Sequence, residues 1–188
     1  MKNEARKRVL KKRDGLSHWE RESKSRAIGE RLSGLHEYKE AATVLFYVEF
    51  RSEVITLPMI DAALGAGKNV LVPKVEKDGH RLRLFGLTDP AAGLVAGYMG
   101  IPEPDDTRLT EYQPADIDLV VLPGVGFDTS CARLGYGGGY YDRLIEKLRP
   151  GTPLVALAFE AQVEERVPCE KHDKPMDMVV TEDRVIRA

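Results

Sequence analysis

Leu119-Val-Val-Leu122-Pro-Gly-Val-Gly-Phe-Asp128-Thr-Ser-Cys-Ala-Arg133-Leu-Gly-Tyr-Gly-Gly-Gly-Tyr-Tyr-Asp-Arg143 runs from an apolar segment through a glycine cluster into a helix-spaced stretch. Leu119–Leu122 is short and wholly apolar, as a strand buried on both faces requires. Tyr141, Leu144, Ile145 and Leu148 recur at helical spacing, so a helix is expected over 140–148. Between them Gly135, Gly137, Gly138 and Gly139 let the backbone reach positive φ and let a ligand approach the main chain. Strand, glycine loop and helix start together aim N–H groups at one spot, an arrangement that suits an anion. Arg133 and Arg143 flank that spot with charge and planar forks of donors. A flexible surface turn is the plain alternative; the two arginines, the aromatic pair and Asp142 favour phosphate. The loop has no Gly-Lys-Ser/Thr and no G-x-G-x-x-G spacing, so it is neither a P-loop nor a dinucleotide fingerprint.

Outward from this segment the same alternation continues. Residues 2–14 are basic and helix-prone, and 17–35 form a second helix with Ser17 and Glu20 spaced as a capping box. Thr43–Tyr47 is the first expected strand, followed by a helix over Thr56–Leu64 with Pro58 in its first turn. Asn69–Pro73 and the alternating Arg81–Phe85 are strands on either side of an Asp78-Gly79 turn. Residues 86–117 carry seven prolines or glycines before Asp105, predicting a loop-rich excursion over one face. Strands at 154–158 and 178–181 complete the pattern. Strands alternating with helices predict one α/β domain over 1–188 with a mainly parallel sheet. Ligands in such sheets bind at the carboxyl ends of strands. Val48–Glu53, Gly124–Gly139 and Glu160 are expected to share that rim.

Composition narrows the function classes. With 188 residues, 43% hydrophobic and 31% charged, the chain is an ordinary globular one, and a net charge of −2 gives no general reason for nucleic acid or membrane partners. No apolar run approaches the ~18 residues of a membrane span. The start Met-Lys-Asn-Glu-Ala-Arg-Lys-Arg lacks a signal-peptide core, so a cytoplasmic setting is the expectation. Cys131 and Cys169 form no C-x-x-C motif, and Cys131, though near the loop, has only Arg133 to activate it and is read as inert.

Several residues carry two readings. Seven of the first thirteen residues are basic, with Lys2 and Arg6 on one helix face with Arg13. That face could be solvated, could bind nucleic acid, or could clamp a polyphosphate. Asp142 could favour a helix dipole or hold Mg²⁺ beside phosphate, with Asp177 as a second acid. Glu53 either serves the following helix or accepts hydrogen bonds from an amide-like ring such as a pterin. His172 and Asp173 could form a proton relay but are read as structural, since adjacent side chains do not easily face each other.

Arg133-Leu-Gly-Tyr-Gly-Gly-Gly-Tyr-Tyr-Asp-Arg143, preceded by Leu122-Pro-Gly-Val-Gly-Phe-Asp128, resembles the signature of the 5-formyltetrahydrofolate cyclo-ligases, also called methenyltetrahydrofolate synthetases. The resemblance extends to Lys2 and Arg6, Glu53-Val-Ile-Thr56, Gly100-Ile-Pro-Glu-Pro104, and Val167-Pro-Cys169 through His172-Asp173 to Asp177-Met-Val-Val-Thr-Glu182. Family members often have a glycine-containing turn where this chain reads Ser130-Cys131-Ala132. The resemblance implies a three-layer α/β sandwich with helices on both faces of the sheet. It implies an ATP- and Mg²⁺-dependent conversion of 5-formyltetrahydrofolate, with or without a polyglutamate tail, to 5,10-methenyltetrahydrofolate, releasing ADP and phosphate. By matching position, Lys2, Asn3, Glu4, Ala5 and Arg6, with Arg133, Leu134, Gly135, Tyr136, Gly137, Gly138, Gly139, Tyr140 and Tyr141, would hold ATP. Val48, Glu53 and Tyr136 through Tyr140 would line the folate site, Asp142 and Asp177 would ligate Mg²⁺, and Lys2, Arg6 and Arg133 would serve catalysis.

These residue types suit that reaction. A formamide oxygen leaves poorly, so attack by N10 stalls until phosphorylation converts the oxygen into a phosphate leaving group. Phosphoryl transfer asks the protein mainly for positioning and charge, so no covalent protein intermediate is expected. Two other classes compete: a folate- or nucleotide-binding regulator without turnover, and a nucleic-acid module using the basic arm. A monomer is the default assembly.

Overall fold

The computed structural model describes residues 1–97, 101–170 and 173–188. Helices α1 (Lys2–Asp14), α2 (His18–Gly34) and α3 (His36–Glu40) precede strand β1 (Thr43–Leu45) and helix α4 (Leu57–Gly65). Strands β2 (Asn69–Glu76) and β3 (Arg81–Leu87) form an antiparallel hairpin. The middle of the chain contributes α5 (Pro90–Gly93), β4 (Leu94–Ala96), β5 (Pro102–Pro104) and β6 (Glu111–Tyr112). Then come β7 (Leu119–Leu122), β8 (Gly126–Asp128), β9 (Arg133–Leu134), α6 (Tyr140–Ile145), β10 (Leu154–Leu157), β11 (Val163–Glu164), β12 (Met178–Val180) and β13 (Val185–Arg187).

An eight-stranded sheet runs in the order β13-β12-β10-β7-β1-β2-β3-β6. Its five consecutive strands from β12 to β2 are parallel, with Val44 opposite Val70 and Leu119, and Val155 opposite Val121 and Met178. At one end β13, and at the other β3 and then β6, add antiparallel. Side chains alternate across each strand, so Val44, Val121 and Val155 enter one core with Ile28 and Leu32 of α2 and Ile60 of α4. Leu45, Val120, Leu122 and Ala156 enter the opposite core, where Leu144 of α6 packs. Both faces are covered, which explains why β7 and β10 are apolar at every position. The chain is therefore an α/β protein built on a large, mostly parallel sheet.

Ser17 Oγ accepts from Glu20 N at 3.2 Å while Glu20 Oε2 accepts from Ser17 N at 2.8 Å, the capping box that starts α2. The 86–117 stretch has more order than the prolines and glycines predict: β4 pairs with β5, and β6 extends the main sheet beside β3. Helix α6 ends at Ile145, shorter than its apolar spacing indicates.

A second sheet, in the order β11-β8-β9, positions the site. Phe127 pairs with Val163 on one side and Arg133 on the other. The glycine loop therefore issues from β9 rather than directly from β7. Helix α1 lies over this small sheet. Ala5 clusters with Leu134 and Val167, and a Cβ on Gly126 would stand 3.4 Å from Val9 Cγ2.

Candidate active site

A cavity of about 1130 Å³ opens where α1, the segment after β1, the β2–β3 hairpin and the glycine loop converge. Most of it lies beyond the carboxyl ends of β1 and β7, as a parallel sheet predicts. Lys2, Arg6, Leu10 and Arg13 face into it at successive turns of α1. The Lys2, Arg6 and Arg13 face of the basic arm is therefore a cavity wall. Arg8 and Lys12 point elsewhere and pair with Glu164 at 3.0 and 2.8 Å. Asn3, Glu4 and Ala5 do not line the cavity. Asn3 accepts from Arg6 at 2.7 Å, Glu4 pairs with the N-terminal amine, and Ala5 is buried in the interface with β9.

The loop itself is shaped for close approach. Gly137 and Gly139 have φ of +103° and +65°, conformations that side-chain-bearing residues adopt at a cost. A Cβ on Gly138 would meet the Tyr140 ring at 2.8 Å. Arg6 Nε donates to Gly135 O at 2.8 Å and Arg143 Nη2 to Gly138 O at 2.6 Å, so two cations brace the loop through its carbonyls. Among the described residues, no protein acceptor takes up the N–H groups of Gly135 to Gly139. Helix α6 has only six residues, so the loop backbone and the cationic wall, rather than a macrodipole, supply the attraction for an anion. Tyr140 stacks on His80 with ring centroids 6.2 Å apart.

Arg133 is buried in the cavity floor. Its Nη2 donates to Asp142 Oδ1 at 2.7 Å, its Nη1 lies 3.4 Å from Pro123 O, and its Nε is buried without a hydrogen-bond partner among the described residues. An unused buried donor on a permanent cation costs stability unless something negative reaches it.

Acid positions divide. Asp142 lines the cavity, but Asp177 does not. Asp177 sits just before β12, at the amino end of a parallel strand, where its carboxylate accepts from Leu154 N at 2.7 Å. It lines a separate hollow of about 520 Å³ beside Arg149 and Arg187. The structure thus does not bring Asp142 and Asp177 together. Among the other acids that line the cavity is Asp173, whose Oδ2 accepts from Lys2 Nζ at 2.7 Å. Lys2 is held above the usual lysine range: partial burial lowers it, but the bonds to Asp173 and Glu170 outweigh that. His172 lies outside the described residues, as does Gly100 of the proline motif. Ile101, Pro102 and Glu103 of that motif line the cavity. Glu160, expected on the same rim, instead binds Thr181 and Arg184.

Val48 and Glu53 line the opposite wall. The helix after them is served by Glu49, whose Oε2 accepts from Thr56 N at 3.1 Å and Leu57 N at 3.2 Å. Glu53 is thereby released from a capping role. It is 7% exposed, accepts from Phe50 N at 2.9 Å, and accepts from the Tyr136 hydroxyl at 2.5 Å. Burial pushes its carboxyl up, against the downward pull of Tyr136, Phe50 N–H and Arg13. Tyr136 and Tyr141 are both pushed up, first by burial and then by the Glu53 charge. Cys131 lies outside the cavity, fully buried, with its thiol pushed up by that burial.

Comparison with known proteins decides the family. The family model described as "5-formyltetrahydrofolate cyclo-ligase family" matches residues 1–182. The chain belongs to the 5-formyltetrahydrofolate cyclo-ligase family. The cyclo-ligase of Mycolicibacterium smegmatis is 30% identical over 190 residues, covering 100% of this chain and 96% of that protein. The Escherichia coli K12 cyclo-ligase is 33% identical over 146 residues, covering 77% of this chain and 80% of that protein. The solved structure of Aquifex aeolicus 5,10-methenyltetrahydrofolate synthetase superposes with a TM-score of 0.87 at 38% identity, covering 99% of this chain and 92% of that one. The chain is accordingly an enzyme of the ligase class with the family's α/β fold. No helix among the described residues is long and apolar enough to cross a membrane.

Proposed function

We propose that this chain cyclises 5-formyltetrahydrofolate to 5,10-methenyltetrahydrofolate with consumption of ATP and assistance from Mg²⁺. The carrying observation is that a glycine loop with uncommitted N–H groups and a buried carboxylate, Glu53, face each other across one cavity. Its volume, about 1130 Å³, suits two ligands of this size better than one.

The residues present fit the implied groups. Arg133 keeps a buried donor, Nε, without a hydrogen-bond partner among the described residues, and Lys2 and Arg6 add charge on the adjacent wall. Asp142 and Asp173 are two of the seven carboxylates that line the cavity, and Mg²⁺ uses one or two when phosphate oxygens and water complete its shell. When bound, ATP would supply the phosphoryl group that turns the formyl oxygen into a leaving group, and Mg²⁺ would neutralise phosphate charge. Arg133 and the loop N–H groups would hold the terminal phosphate in place, the positioning and charge stabilisation on which phosphoryl transfer depends. Arg6, anchored to Gly135 O, would keep the loop at its working distance. Glu53 would accept the amino and ring N–H donors of the pterin and fix the rotation of the folate. Tyr140 and Tyr141 would exclude water between the two sites.

The test is direct. Purified protein with 5-formyltetrahydrofolate, ATP and Mg²⁺ should develop the near-ultraviolet absorbance of a methenyl-bridged product together with ADP. Binding of both ligands by calorimetry without ADP release would instead show a regulator lacking turnover.

A further inference from the structure

Arg13 is 2% exposed, more deeply buried than any other charged side chain among the described residues. A buried guanidinium ordinarily sits directly against a carboxylate. This one instead spends its donors on neutral hydroxyls: Nη1 on Tyr136 Oη at 2.8 Å and Nε on Ser52 Oγ at 3.0 Å. Ser52 in turn donates to Asp14, at the end of the same helix. Tyr136 donates to Glu53 Oε1 at 2.5 Å. Three separate elements, α1, the segment after β1 and the glycine loop, are thus joined by hydrogen bonds that branch from Arg13 and end on two carboxylates, Asp14 and Glu53.

The polarity of this chain is forced. Arginine can only donate, so the Tyr136 oxygen must accept from it and turn its single proton toward Glu53. Glu53 then receives one bond on each oxygen, from Tyr136 and from Phe50 N, and keeps lone pairs for the cavity. A carboxylate tethered at both oxygens has little rotational freedom left.

We propose that Arg13 and Tyr136 are a positioning pair, in which the guanidinium orients the phenol and the phenol pins the Glu53 carboxylate toward the folate head group. The proposal rests on the reading of the cavity as a folate site and adds two residues that act through Glu53. It also assigns the loop tyrosine a task distinct from phosphate binding: Tyr136 ties the loop that holds the nucleotide to the acid that holds the folate. Arg13 lies 5.8 Å from the Tyr136 ring centroid as well, so it fixes both the tilt and the hydroxyl of that ring.

The charged and titratable groups around Glu53 are Arg13 from α1, Glu49 and Tyr47 from the segment after β1, Tyr136 from the loop and Tyr141 from α6. Burial and Glu49 favour the protonated carboxyl, whereas Tyr136 and Arg13 favour the carboxylate. Loss of either partner should therefore raise the pH at which Glu53 becomes an acceptor.

The experiment is steady-state kinetics of the full chain with folate and ATP varied separately, across acidic to neutral pH, for Tyr136→Phe, Arg13→Met and Arg13→Lys. A hydrogen bond to a charged group is worth about 1.5–3 kcal/mol, so Tyr136→Phe should raise the folate KM about tenfold or more. The ATP KM should stay within about twofold, and the acid limb of kcat/KM for folate should move to higher pH. Arg13→Met should do the same and Arg13→Lys should recover part of the loss. The double variant should be little worse than the worse single one, because both remove one chain of contacts. An unchanged folate KM in Tyr136→Phe, or parallel loss of both substrates with an unmoved acid limb, overturns the proposal. If Arg13→Met does not fold, Tyr136→Phe decides alone. A wild-type chain that makes no methenyl product defeats the functional reading itself. An active wild type with indifferent variants defeats only the positioning pair.

Discussion

Arg133→Ala deletes a guanidinium that donates to Asp142 at 2.7 Å and whose Nε is buried without a hydrogen-bond partner among the described residues. Its effect on stability and its effect on rate can be separated. Breaking a fully buried ion pair costs about 3–5 kcal/mol. Here the side chains are 6% and 27% exposed, and solvent around Asp142 reduces the cost to about 1–2 kcal/mol. Removing the orphaned donor returns about 1 kcal/mol. The net change is about 0–1 kcal/mol, a Tm shift of only a few degrees for a chain of this size. The rate effect is far larger, since one donor aimed at developing charge is worth about 10²–10³ in kcat. The assay pairs methenyl absorbance and ADP release with a thermal melt. Arg133→Lys should fall between, because it retains charge but loses the fork. A kcat within about threefold of wild type, in a variant whose melt is intact, would refute the assignment of Arg133 to the reacting phosphate.

Glu53→Gln keeps the shape but supplies a donor where an acceptor is needed, and should raise the folate KM about tenfold to a hundredfold with little change for ATP. Equal losses for both substrates would contradict its pocket role. Asp142→Asn and Asp173→Asn should each shift the Mg²⁺ titration to higher concentration while Asp177→Asn leaves it in place; a shift confined to Asp177→Asn would reverse the metal assignment. Asp128 offers a pH test of the loop's foundation. Burial raises its carboxyl, but Ser130 Oγ at 2.6 Å and the N–H groups of Val167, Ala132 and Ser130 overcome this and hold it below the usual range. A depressed folded value means that its contribution is complete above the unfolded value, about 3.9, and fades as pH falls through the folded one. Asp128→Asn should thus cost about 1–3 kcal/mol near neutrality, with the gap to wild type closing in acid. A gap in urea unfolding free energy that ignores pH would disprove it.

The apolar runs at Leu119–Leu122 and Leu154–Ala158 announced buried parallel strands because every position there meets a core. The second sheet was illegible for the converse reason: β8, β9 and β11 are two or three residues long and no period can show in them. The Ser130-Cys131-Ala132 turn shows how a departure from pattern is absorbed. Cys131 adopts φ +60°, and Asp128 stitches the turn with bonds to Ser130 and Ala132. In the site, helical spacing correctly placed Lys2, Arg6 and Arg13 on one face, yet only the structure shows that Arg13 is buried against Tyr136. Asp177 and Asp173 lie four residues apart, both before β12, and sequence cannot say which of them the chain carries to the cavity. Glu49 and Glu53 are likewise four apart, and their division of labour between helix and cavity depends on how the chain turns at Phe50–Ser52.

The account's central claim is that nucleotide and folate share one cavity, with the terminal phosphate on the glycine loop. A crystal structure with a non-hydrolysable ATP analogue, Mg²⁺ and 5-formyltetrahydrofolate tests it. The account predicts the triphosphate against Gly135–Gly139 and Arg133, and the pterin on Glu53 with its formyl oxygen facing the terminal phosphorus. A nucleotide lodged beside Arg149 and Arg187, with the loop untouched, would contradict it.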